Sequence, residues 1–260
     1  MGSSFQDKVV VVTGASLGIG KALSLMLLER GAKVVASSRS EKKLEALRAS
    51  ADCWQDSLLT TTCDVSRQDD VEAMVAEGVK RFGRIDALVN NAGLYPVTPL
   101  LDLSEQEWDQ VLDTNLKGPF MCSKAVAREM IAKGVKGHIV NISSTASLIA
   151  RPGTVHYASS KGGLNMLTKV LAIELAPHGI RVNCVVPGVI MTEGLQAVIQ
   201  NPANIAEHRT KMARIPLGHE GDPGDVAKAA LHFMSDESDY TTGSLLVVDG
   251  GYSLGISAYR

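Results

Sequence analysis

The sequence predicts one α/β domain, a doubly wound parallel sheet with helices on both faces, and two observations support this prediction. Short apolar runs alternate with helical patterns at βαβ spacing throughout the 260 residues, and no linker, repeat or low-complexity segment interrupts them. In addition, each glycine-rich or polar motif directly follows one of the apolar runs. Because ligands of such sheets bind beyond the carboxyl ends of the strands, we expect a single domain over residues 1–260 with its site at that edge.

Seven apolar runs are predicted to be strands. Several, such as KVVVVT, are apolar at consecutive positions rather than at alternate ones, which is typical of parallel strands that are buried on both faces. The predicted strands cover residues 8–13, 33–37, 58–63, 85–89, 137–143, 181–186 and 245–248.

Helical patterns separate the strands, and local signals mark several of their ends. Gly31 follows the first helix at a position that needs a left-handed residue. Ser104 and Glu107 form a capping box at the start of a long helical region, and Pro223 opens the last helix. The predicted helices cover residues 21–30, 41–50, 69–82, 104–133 and 223–234, with one containing Tyr157 that ends near residue 176 and an irregular helical segment over 193–215.

Composition excludes several classes of partner. The formal net charge is −2, so neither nucleic acid nor an anionic membrane surface is expected to bind. The four cysteines lack C-x-x-C or Cys/His pairing, which is typical of buried thiols in a reducing compartment. The six histidines lack the spacing of metal ligands, and no apolar run approaches ~18 residues. We therefore expect a cytoplasmic protein without a metal or a membrane span.

The stretch from Ile142 to Lys161 contains the candidate catalytic groups. Tyr157 and Lys161 are four residues apart and therefore share a face of a helix. A nearby ammonium lowers the pKa of a phenol, which then exchanges a proton with a carbonyl or alcohol oxygen near neutral pH. Lowering that pKa by ~3 units requires about 4 kcal/mol, so a second positive charge, such as an oxidised nicotinamide ring, would help. The Ser144 hydroxyl is predicted to hold the same substrate oxygen.

A glycine-rich loop, TGASLGIG, joins the first strand to the first helix. Gly14, Gly18 and Gly20 allow a tight turn and a close backbone approach at the start of that helix. Free N–H groups and the helix dipole favour a pyrophosphate there. A plain connecting turn is the alternative, but the position of the loop between strand and helix favours nucleotide binding.

The end of the second strand indicates which dinucleotide binds. Ser38 occupies the position where an acidic residue often grips the ribose hydroxyls, and Arg39 follows it. Without a carboxylate to repel it, a 2′-phosphate can be held by Arg39 and a serine hydroxyl, which favours NADP(H) over NAD(H). The alternative is a solvated Arg39, and a basic residue in place of Leu17 would have given a further phosphate contact.

Two further strand ends carry candidate cofactor contacts. Asp64 is predicted either to accept a hydrogen bond from an adenine amine or to cap the following turn. Ala92 and Gly93 end the fourth strand with small groups that would let a cofactor pass closely, while Asn90 either does the same or braces the central strands.

These motifs together resemble the short-chain dehydrogenase/reductase family over nearly the whole chain. They are TGASLGIG, CDV, NNAG, TNLKG, NISS, YASSK, VVPGVIMT and VVDGG, in family order and spacing. The resemblance implies a Rossmann-like fold with Tyr157 as general acid/base and Ser144 orienting the substrate. Lys161 would lower the pKa of Tyr157 and hold the nicotinamide ribose. Asn115 would anchor a water that links Lys161 to solvent.

The resemblance also implies a cofactor-binding set and a homotetramer. After Pro187 and Gly188, Ile190 and Thr192 would meet the nicotinamide carboxamide. The apolar helical stretches 125–133 and 163–176, with the tail 249–257, offer hydrophobic surface for assembly. The full cofactor-binding set is Gly14, Ser16, Leu17, Gly18, Ile19, Gly20, Ser38, Arg39, Asp64, Val65, Asn91, Ala92, Gly93, Tyr157, Lys161, Pro187, Gly188, Ile190 and Thr192.

The predicted function is hydride transfer between NADP(H) and a ketone/secondary-alcohol pair on a small molecule. Several stretches are similar to the carbonyl reductase and L-xylulose reductase branch; 3-oxoacyl-carrier-protein reductase, sugar or polyol dehydrogenase and a non-catalytic dinucleotide sensor are the alternatives. Pocket walls are expected from Leu94, Tyr95 and residues 145–156, with 193–215 covering the substrate. His156 is expected to be structural, and Arg151 either to meet an acidic substrate or, more in keeping with a loop arginine, to be solvated.

Overall fold

The computed structural model describes residues 5–255. Residues 1–4 and 256–260, which the predicted domain and the predicted assembly tail include, lie outside the described part. Within the segment 193–215, the side chains of Val198, Pro202, Ala203, Asn204 and Glu207 are also outside it.

Seven parallel strands form one sheet in the order β3-β2-β1-β4-β5-β6-β7, which confirms the predicted doubly wound fold. Every strand lies within two residues of its prediction. The order reverses between β1 and β4, so the loops after these two strands meet at the switch point where such sheets bind ligands. The strands are β1 (Val9–Thr13), β2 (Lys33–Ser38), β3 (Leu58–Thr62), β4 (Ala87–Asn90), β5 (His138–Ile142), β6 (Arg181–Pro187) and β7 (Leu245–Val248).

The described residues contain nine α-helices, and several of them pack on the two faces of the sheet. α1 begins at Gly18, three residues before its predicted start, because the last glycines of the loop are already helical. A short 3₁₀ segment at Asp52–Ser57 was not predicted. The helices are α1 (Gly18–Leu28), α2 (Glu41–Ser50), α3 (Gln68–Phe82), α4 (Glu105–Leu112), α5 (Gly118–Ala132), α6 (Val155–Leu175), α7 (Glu193–Ile199), α8 (Pro202–Met212) and α9 (Pro223–Met234).

Two hydrophobic clusters, one on each face, hold the helices against the sheet. Leu27 of α1 and Phe233 of α9 are buried on one face, and Met74 of α3 and Met130 of α5 on the other. β1 and β4 are buried along their whole length, which explains their continuous apolar sequences. None of the helices within residues 5–255 is long and apolar enough to cross a membrane.

The predicted helical region 104–133 is interrupted by a π-helical turn at Asp113–Lys117, between α4 and α5. The capping box at its start is half formed. Ser104 Oγ accepts from the Glu107 N–H at 3.1 Å, but the Glu107 carboxylate accepts from Thr98 instead of returning to Ser104. π-turns often occur at functional sites, and Asn115 is one of the two buried residues of this one.

Candidate active site

The loops after β1 and β4 are fastened to each other by hydrogen bonds. Thr13 Oγ1 accepts from the N–H groups of Asn91 and Ala92 at 3.0 and 3.1 Å, and Asn91 Nδ2 donates to the carbonyls of Thr13 and Gly14 at 2.9 and 3.0 Å. Gly14 has a φ of +63°, and a Cβ there would lie 2.8 Å from Ala92 Cα. The glycine loop and the NNAG loop therefore form one rigid floor at the switch point.

The start of α1 has an unexpected partner from the segment 193–215. The Gly18 N–H donates to Glu193 Oε2 at 2.8 Å, whereas Leu17 provides no side-chain cap. Gly20 is required by packing, since a Cβ there would lie 2.4 Å from the Gly14 oxygen. A carboxylate thus occupies the helix end where a phosphate group is predicted to bind. The sequence analysis missed Glu193 because nothing in its local pattern shows that it returns to residue 18.

A cleft at the end of β2 brings hydroxyls and cations together. Ser16 Oγ and Ser38 Oγ are 2.9 Å apart, and Arg39 is exposed beside them. Two cations, four hydroxyls and no carboxylate occur among the described residues that line it. These are Gly14, Ser16, Ser38, Arg39, Ser40, Lys43, Cys63, Val65, Ala92, Gly93 and Thr114.

Lys43 was missed as a candidate phosphate contact. The connection between β2 and α2 is only two residues long, so the first turn of α2 returns to the strand end. The shortness of that connection was the signal that could have identified it.

Asp64 and Asn90 both make structural contacts. Asp64 Oδ1 accepts from the Ser66 N–H and hydroxyl at 3.0 and 2.7 Å and so caps the turn after β3. Burial acts to raise the pKa of Asp64, but the Ser66 hydrogen bonds and nearby arginine charges lower it below its usual value. Asn90 Nδ2 donates to Ser123 Oγ at 3.0 Å and to Asn141 Oδ1 at 2.8 Å, bracing the central strands.

The three candidate catalytic side chains meet where β5 and α6 converge. Ser144 lies two residues beyond β5, and Tyr157 of α6 makes a side-chain hydrogen bond to it. The Lys161 ammonium lies 5.9 Å from the Tyr157 ring centroid and donates to the Ile142 carbonyl at 2.8 Å. A Cβ on Gly93 would fill space 3.7 Å from Lys161 Nζ, so the missing side chain leaves room beside the ammonium.

The pKa of Tyr157 differs from the expectation. Burial raises it to about 12, opposed by the hydrogen bond from Ser144, and the negative charge of an ionised Tyr95 would raise it further. Burial also lowers the pKa of Lys161 to about 8. The prediction that Lys161 brings the phenol toward neutrality is therefore wrong for the groups of this chain alone, because desolvation favours the neutral form of both side chains.

Asn115 is fully buried in the π-turn and is held from three directions. Its Oδ1 accepts from the Leu94 N–H at 2.8 Å, and its Nδ2 donates to the Leu94 carbonyl at 2.9 Å and to Ser160 Oγ at 3.2 Å. Leu94 begins the predicted substrate wall, and Ser160 precedes Lys161. Asn115 therefore ties the wall to α6, as expected for a polar residue that bonds to backbone.

The substrate side of the site is formed by Tyr95, Arg151 and the start of α6. The rings of Tyr95 and Tyr157 pack edge to face with centroids 4.5 Å apart. Arg151 lies over the Tyr95 ring and donates to its hydroxyl. Its two expected roles, contact with an acidic substrate or a solvated position, stay predictions. His156 is fully buried and its Nε2 lies 3.2 Å from Glu107 Oε1, in keeping with a structural residue.

The residues after β6 occupy a strongly packed turn. A Cβ on Gly188, next to Pro187, would lie 2.6 Å from Asp249 Cβ. The Ile190 side chain is buried in the hydrophobic cluster around α1 and α9, and its contact with a nicotinamide stays a prediction. Thr192 Oγ1 accepts from the Leu195 N–H at 3.3 Å and so caps α7.

Comparisons with known proteins agree with this arrangement. The family model described as Enoyl-(Acyl carrier protein) reductase matches residues 14–253. The 3-oxoacyl-[acyl-carrier-protein] reductase FabG of Thermotoga maritima is 40% identical over 246 residues, covering 95% of this chain and 98% of that protein. The NAD-dependent glycerol dehydrogenase of Listeria innocua is 40% identical over 249 residues, covering 95% and 94%.

A solved structure is also similar to this chain over nearly its whole length. The crystal structure of a short-chain type dehydrogenase/reductase from Mycobacterium marinum superposes with a TM-score of 0.90 at 36% identity, covering 96% of this chain and 97% of that chain. These similarities identify the present chain as an oxidoreductase that acts on CH–OH or carbonyl groups with a nicotinamide dinucleotide. The chain therefore belongs to the short-chain dehydrogenase/reductase family.

Proposed function

We propose that this protein is an NADP(H)-dependent reductase that interconverts a small carbonyl compound and its secondary alcohol. The observation that supports it is the hydrogen bond between Tyr157 and Ser144 beside the buried ammonium of Lys161. In place of the hydrogen bond to each other, the two hydroxyls can both bind one substrate oxygen. A cation beside them stabilises the negative charge that develops on that oxygen.

In the reductive direction, the chain's own groups move one proton. Ser144 and Tyr157 hold the carbonyl oxygen, and the phenol gives its proton to that oxygen as the carbon is reduced. A bound nicotinamide supplies the hydride for the carbonyl carbon and accepts it in the reverse reaction. Lys161 stabilises the phenolate that remains, and Asn115 holds the surrounding backbone so that a water can return the proton.

The cofactor that we propose is NADP(H). The glycine loop leaves room for a close backbone approach, and the N–H groups at the start of α1 would hold the pyrophosphate. Arg39 and Lys43, with the hydroxyls of Ser16 and Ser38, line the cleft where an adenosine 2′-phosphate would lie. A phosphate fits such a lining, because charge-assisted hydrogen bonds are the strongest that it can form. The NAD dependence named for the Listeria relative is the alternative that must be tested.

A second candidate function is 3-oxoacyl-carrier-protein reduction. It is favoured by the 40% identity to the Thermotoga enzyme and by a second reductase of that name from Vibrio cholerae at 37%. A carbonyl or dicarbonyl reductase and a polyol dehydrogenase use the same three side chains. A dinucleotide sensor without turnover has no need of all three.

A cofactor and substrate screen tests the proposal. NADPH oxidation is followed with diketones, ketosugars, aromatic ketones and acetoacetyl thioesters, and every reaction is repeated with NADH. We expect turnover of at least one small carbonyl class with NADPH at least about tenfold above NADH, because two cations contact the 2′-phosphate. Strong preference for NADH would overturn the assignment of Arg39, and thioesters as sole substrates would favour the second candidate.

The proposal includes an assembly, a cover and a location. Apolar side chains exposed on α5 and α6 suit a homotetramer; they are Phe120, Ile131, Val155, Met166, Val170 and Ile173. Sedimentation as a monomer would overturn that state. Residues 193–215 would cover the substrate. The proposed location is the cytoplasm, because a reducing compartment keeps thiols free. The four free thiols are Cys53, Cys63, Cys122 and Cys184.

A further inference from the structure

The helical face that carries Tyr157 and Lys161 continues to a third polar side chain, Asn165, which the proposed proton transfer does not use. The three residues are spaced four apart on α6 and therefore share that face. Asn165 is only 8% exposed. Because a buried amide is stable only where hydrogen bonds replace water, its partners indicate what it holds in place.

The Asn165 amide bridges the segment after β5 and strand β6. Its Nδ2 donates to Ser147 Oγ at 2.8 Å. Its Oδ1 accepts from the thiol of Cys184, on β6, at 3.7 Å, a contact in keeping with a weak sulfur donor. The thiol faces the oxygen of the amide, which leaves the NH₂ end directed toward Ser147.

The hydroxyl of Ser147 passes this restraint on to Ser144. Ser147 closes the 3₁₀ turn Thr145–Ser147 and is half-buried. Its Oγ donates to the Ser144 carbonyl at 2.6 Å, and its N–H donates to the same oxygen at 2.9 Å. A serine hydroxyl has one proton, so accepting from Asn165 directs that proton at the carbonyl. Asn165, Ser147 and Ser144 thus form one chain of hydrogen bonds.

The backbone on the other side of Ser144 is also fastened to α6. Lys161 Nζ donates to the Ile142 carbonyl at 2.8 Å, and Ser143 Oγ donates to the Lys161 carbonyl at 3.3 Å. The Ala146 N–H donates to Ser144 Oγ at 3.2 Å, which restrains the rotation of that hydroxyl. Helix α6 therefore holds the backbone both before and after Ser144, and the bridging amide supplies the second of these attachments.

We propose that Asn165 is a positioning residue that, through Ser147, holds the Ser144 hydroxyl where it and Tyr157 bind the same substrate oxygen. This inference rests on the proposed reduction of a carbonyl compound at Tyr157. Without the amide, the half-buried Ser147 hydroxyl is free to turn to water, and the backbone after Ser144 loses its attachment to α6. Proton transfer depends on the position of the reacting groups, so the rate should fall although every group that meets the substrate remains.

Removing the amide in the presence and in the absence of its target tests this inference. Asn165→Leu keeps nearly the same volume and loses the N–H donors. We expect kcat for carbonyl reduction with NADPH to fall about 10- to 100-fold in the native background, because misplacing a reacting group by about 1 Å has an effect of that size. In Ser144→Ala the same substitution should change kcat by less than about twofold, since the amide acts through the Ser144 hydroxyl.

Two substitutions of Ser147 test the same chain of hydrogen bonds at its middle. Ser147→Ala should lower kcat to the level of Asn165→Leu, and the double variant should be no slower than either, because both substitutions break one chain. Ser147→Thr keeps the hydroxyl and should retain most of the native kcat. KM for NADPH should stay within about threefold throughout, because neither residue lines the phosphate cleft.

Ser238→Ala is the matched control. Ser238 is a buried serine that also ends a 3₁₀ segment, and its Oγ donates to the Ser235 carbonyl, three residues earlier, at 3.2 Å. It lies after α9 and does not line the cleft. Its loss should lower the thermal midpoint but leave kcat unchanged, so it measures the effect of removing such a hydroxyl alone.

The outcomes separate this inference from the proposed function. An unchanged kcat in Asn165→Leu, or an equal loss in the native and Ser144→Ala backgrounds, would mean that the amide only stabilises the fold, and the positioning role would be wrong. If circular dichroism shows that Asn165→Leu does not fold, Ser147→Ala compared in the same two backgrounds gives the same decision. A native enzyme that reduces no carbonyl compound with either cofactor would instead refute the proposed function, and the inference with it.

Discussion

The two ends of the proposed cofactor cleft differ in how their polar groups are held. At the reaction end, Lys161 and Asn115 are buried, and each bonds to backbone that is distant in the sequence. At the phosphate end, Arg39 and Lys43 are exposed side chains that share a cleft with hydroxyls. Proton transfer needs atoms fixed to a fraction of an ångström, whereas a charge recognises a phosphate over a range of positions. Substitutions at the two ends should therefore fail in different ways.

The largest expected effect is at the reaction end, in Tyr157→Phe. The ring and its packing against Tyr95 remain, but the proton donor is lost. General acid catalysis contributes about 10²- to 10⁴-fold, so kcat should fall by that factor. NADPH affinity, measured from cofactor fluorescence, should stay within about threefold because the substitution leaves the charged phosphate contacts in place.

Tyr240→Phe is the matched control, because the Tyr240 side chain is fully exposed and does not line the cleft. Turnover retained in Tyr157→Phe would remove the proposed catalyst. An additional loss of NADPH affinity would show that the two ends of the cleft are not separable.

The double variant Arg39→Ser, Lys43→Ser tests the phosphate end. Each exposed contact to a phosphate is worth about 1 kcal/mol, so KM for NADPH should rise about 30-fold while KM for NADH changes little. Initial rates with both cofactors measure this difference.

Lys42→Ser provides the comparison for that double variant, since Lys42 is exposed on the same helix but does not line the cleft. An equal rise in KM for both cofactors would mean that the two cations hold a group common to NADPH and NADH.

The sequence predicted the reaction end better than the phosphate end, for a physical reason. Ser144, Tyr157 and Lys161 are close in the chain, and one helix spacing brings two of them together. Lys43 and Glu193 reach the cleft through the path of the backbone, which local patterns do not encode. The strands were predicted within two residues because continuous burial leaves a continuous apolar signal.

The prediction that failed, a lowered pKa of Tyr157, depends on the surroundings of the side chain rather than on its spacing from Lys161. The pKa of Tyr157 is set by burial, which a pair of residues four apart does not reveal. Likewise, nothing in the local sequence of Arg151 shows that its guanidinium contacts the side chain of Tyr95, 56 residues earlier.

The pH dependence of reduction and of oxidation tests the ionisation of the two titratable groups at the reaction end. Tyr157, with a pKa of about 12, stays protonated at neutral pH, and Lys161, with a pKa of about 8, loses its charge above that value. Reduction should be flat below pH 8 and decline above it, by up to about tenfold per unit. Oxidation needs phenolate and ammonium together, so it should rise about tenfold per unit below pH 8 and then level off. Profiles of kcat/KM in both directions measure this.

Lys161→Arg separates the two groups, because a guanidinium stays charged and the break near pH 8 should disappear. Circular dichroism checks that the variant folds. A break that persists in the variant would assign the ionisation to another group.

The smallest expected effect is at the start of α1, in Glu193→Gln. The Glu193 carboxylate accepts from the Gly18 N–H, so it occupies the helix end that the pyrophosphate needs and adds a like charge beside it. Removing that charge should tighten NADPH binding about two- to fivefold, that is by ~0.5–1 kcal/mol, and less at high salt. Fluorescence titration at two ionic strengths measures the change.

Glu77→Gln, an exposed change of the same kind on α3, should leave NADPH affinity unaltered. Weaker binding in Glu193→Gln would show that the carboxylate helps to position the cofactor rather than competing with it. In that case Glu193 would resemble the fixed polar groups of the reaction end. Its precise position would have to compensate for the repulsion between its carboxylate and the pyrophosphate.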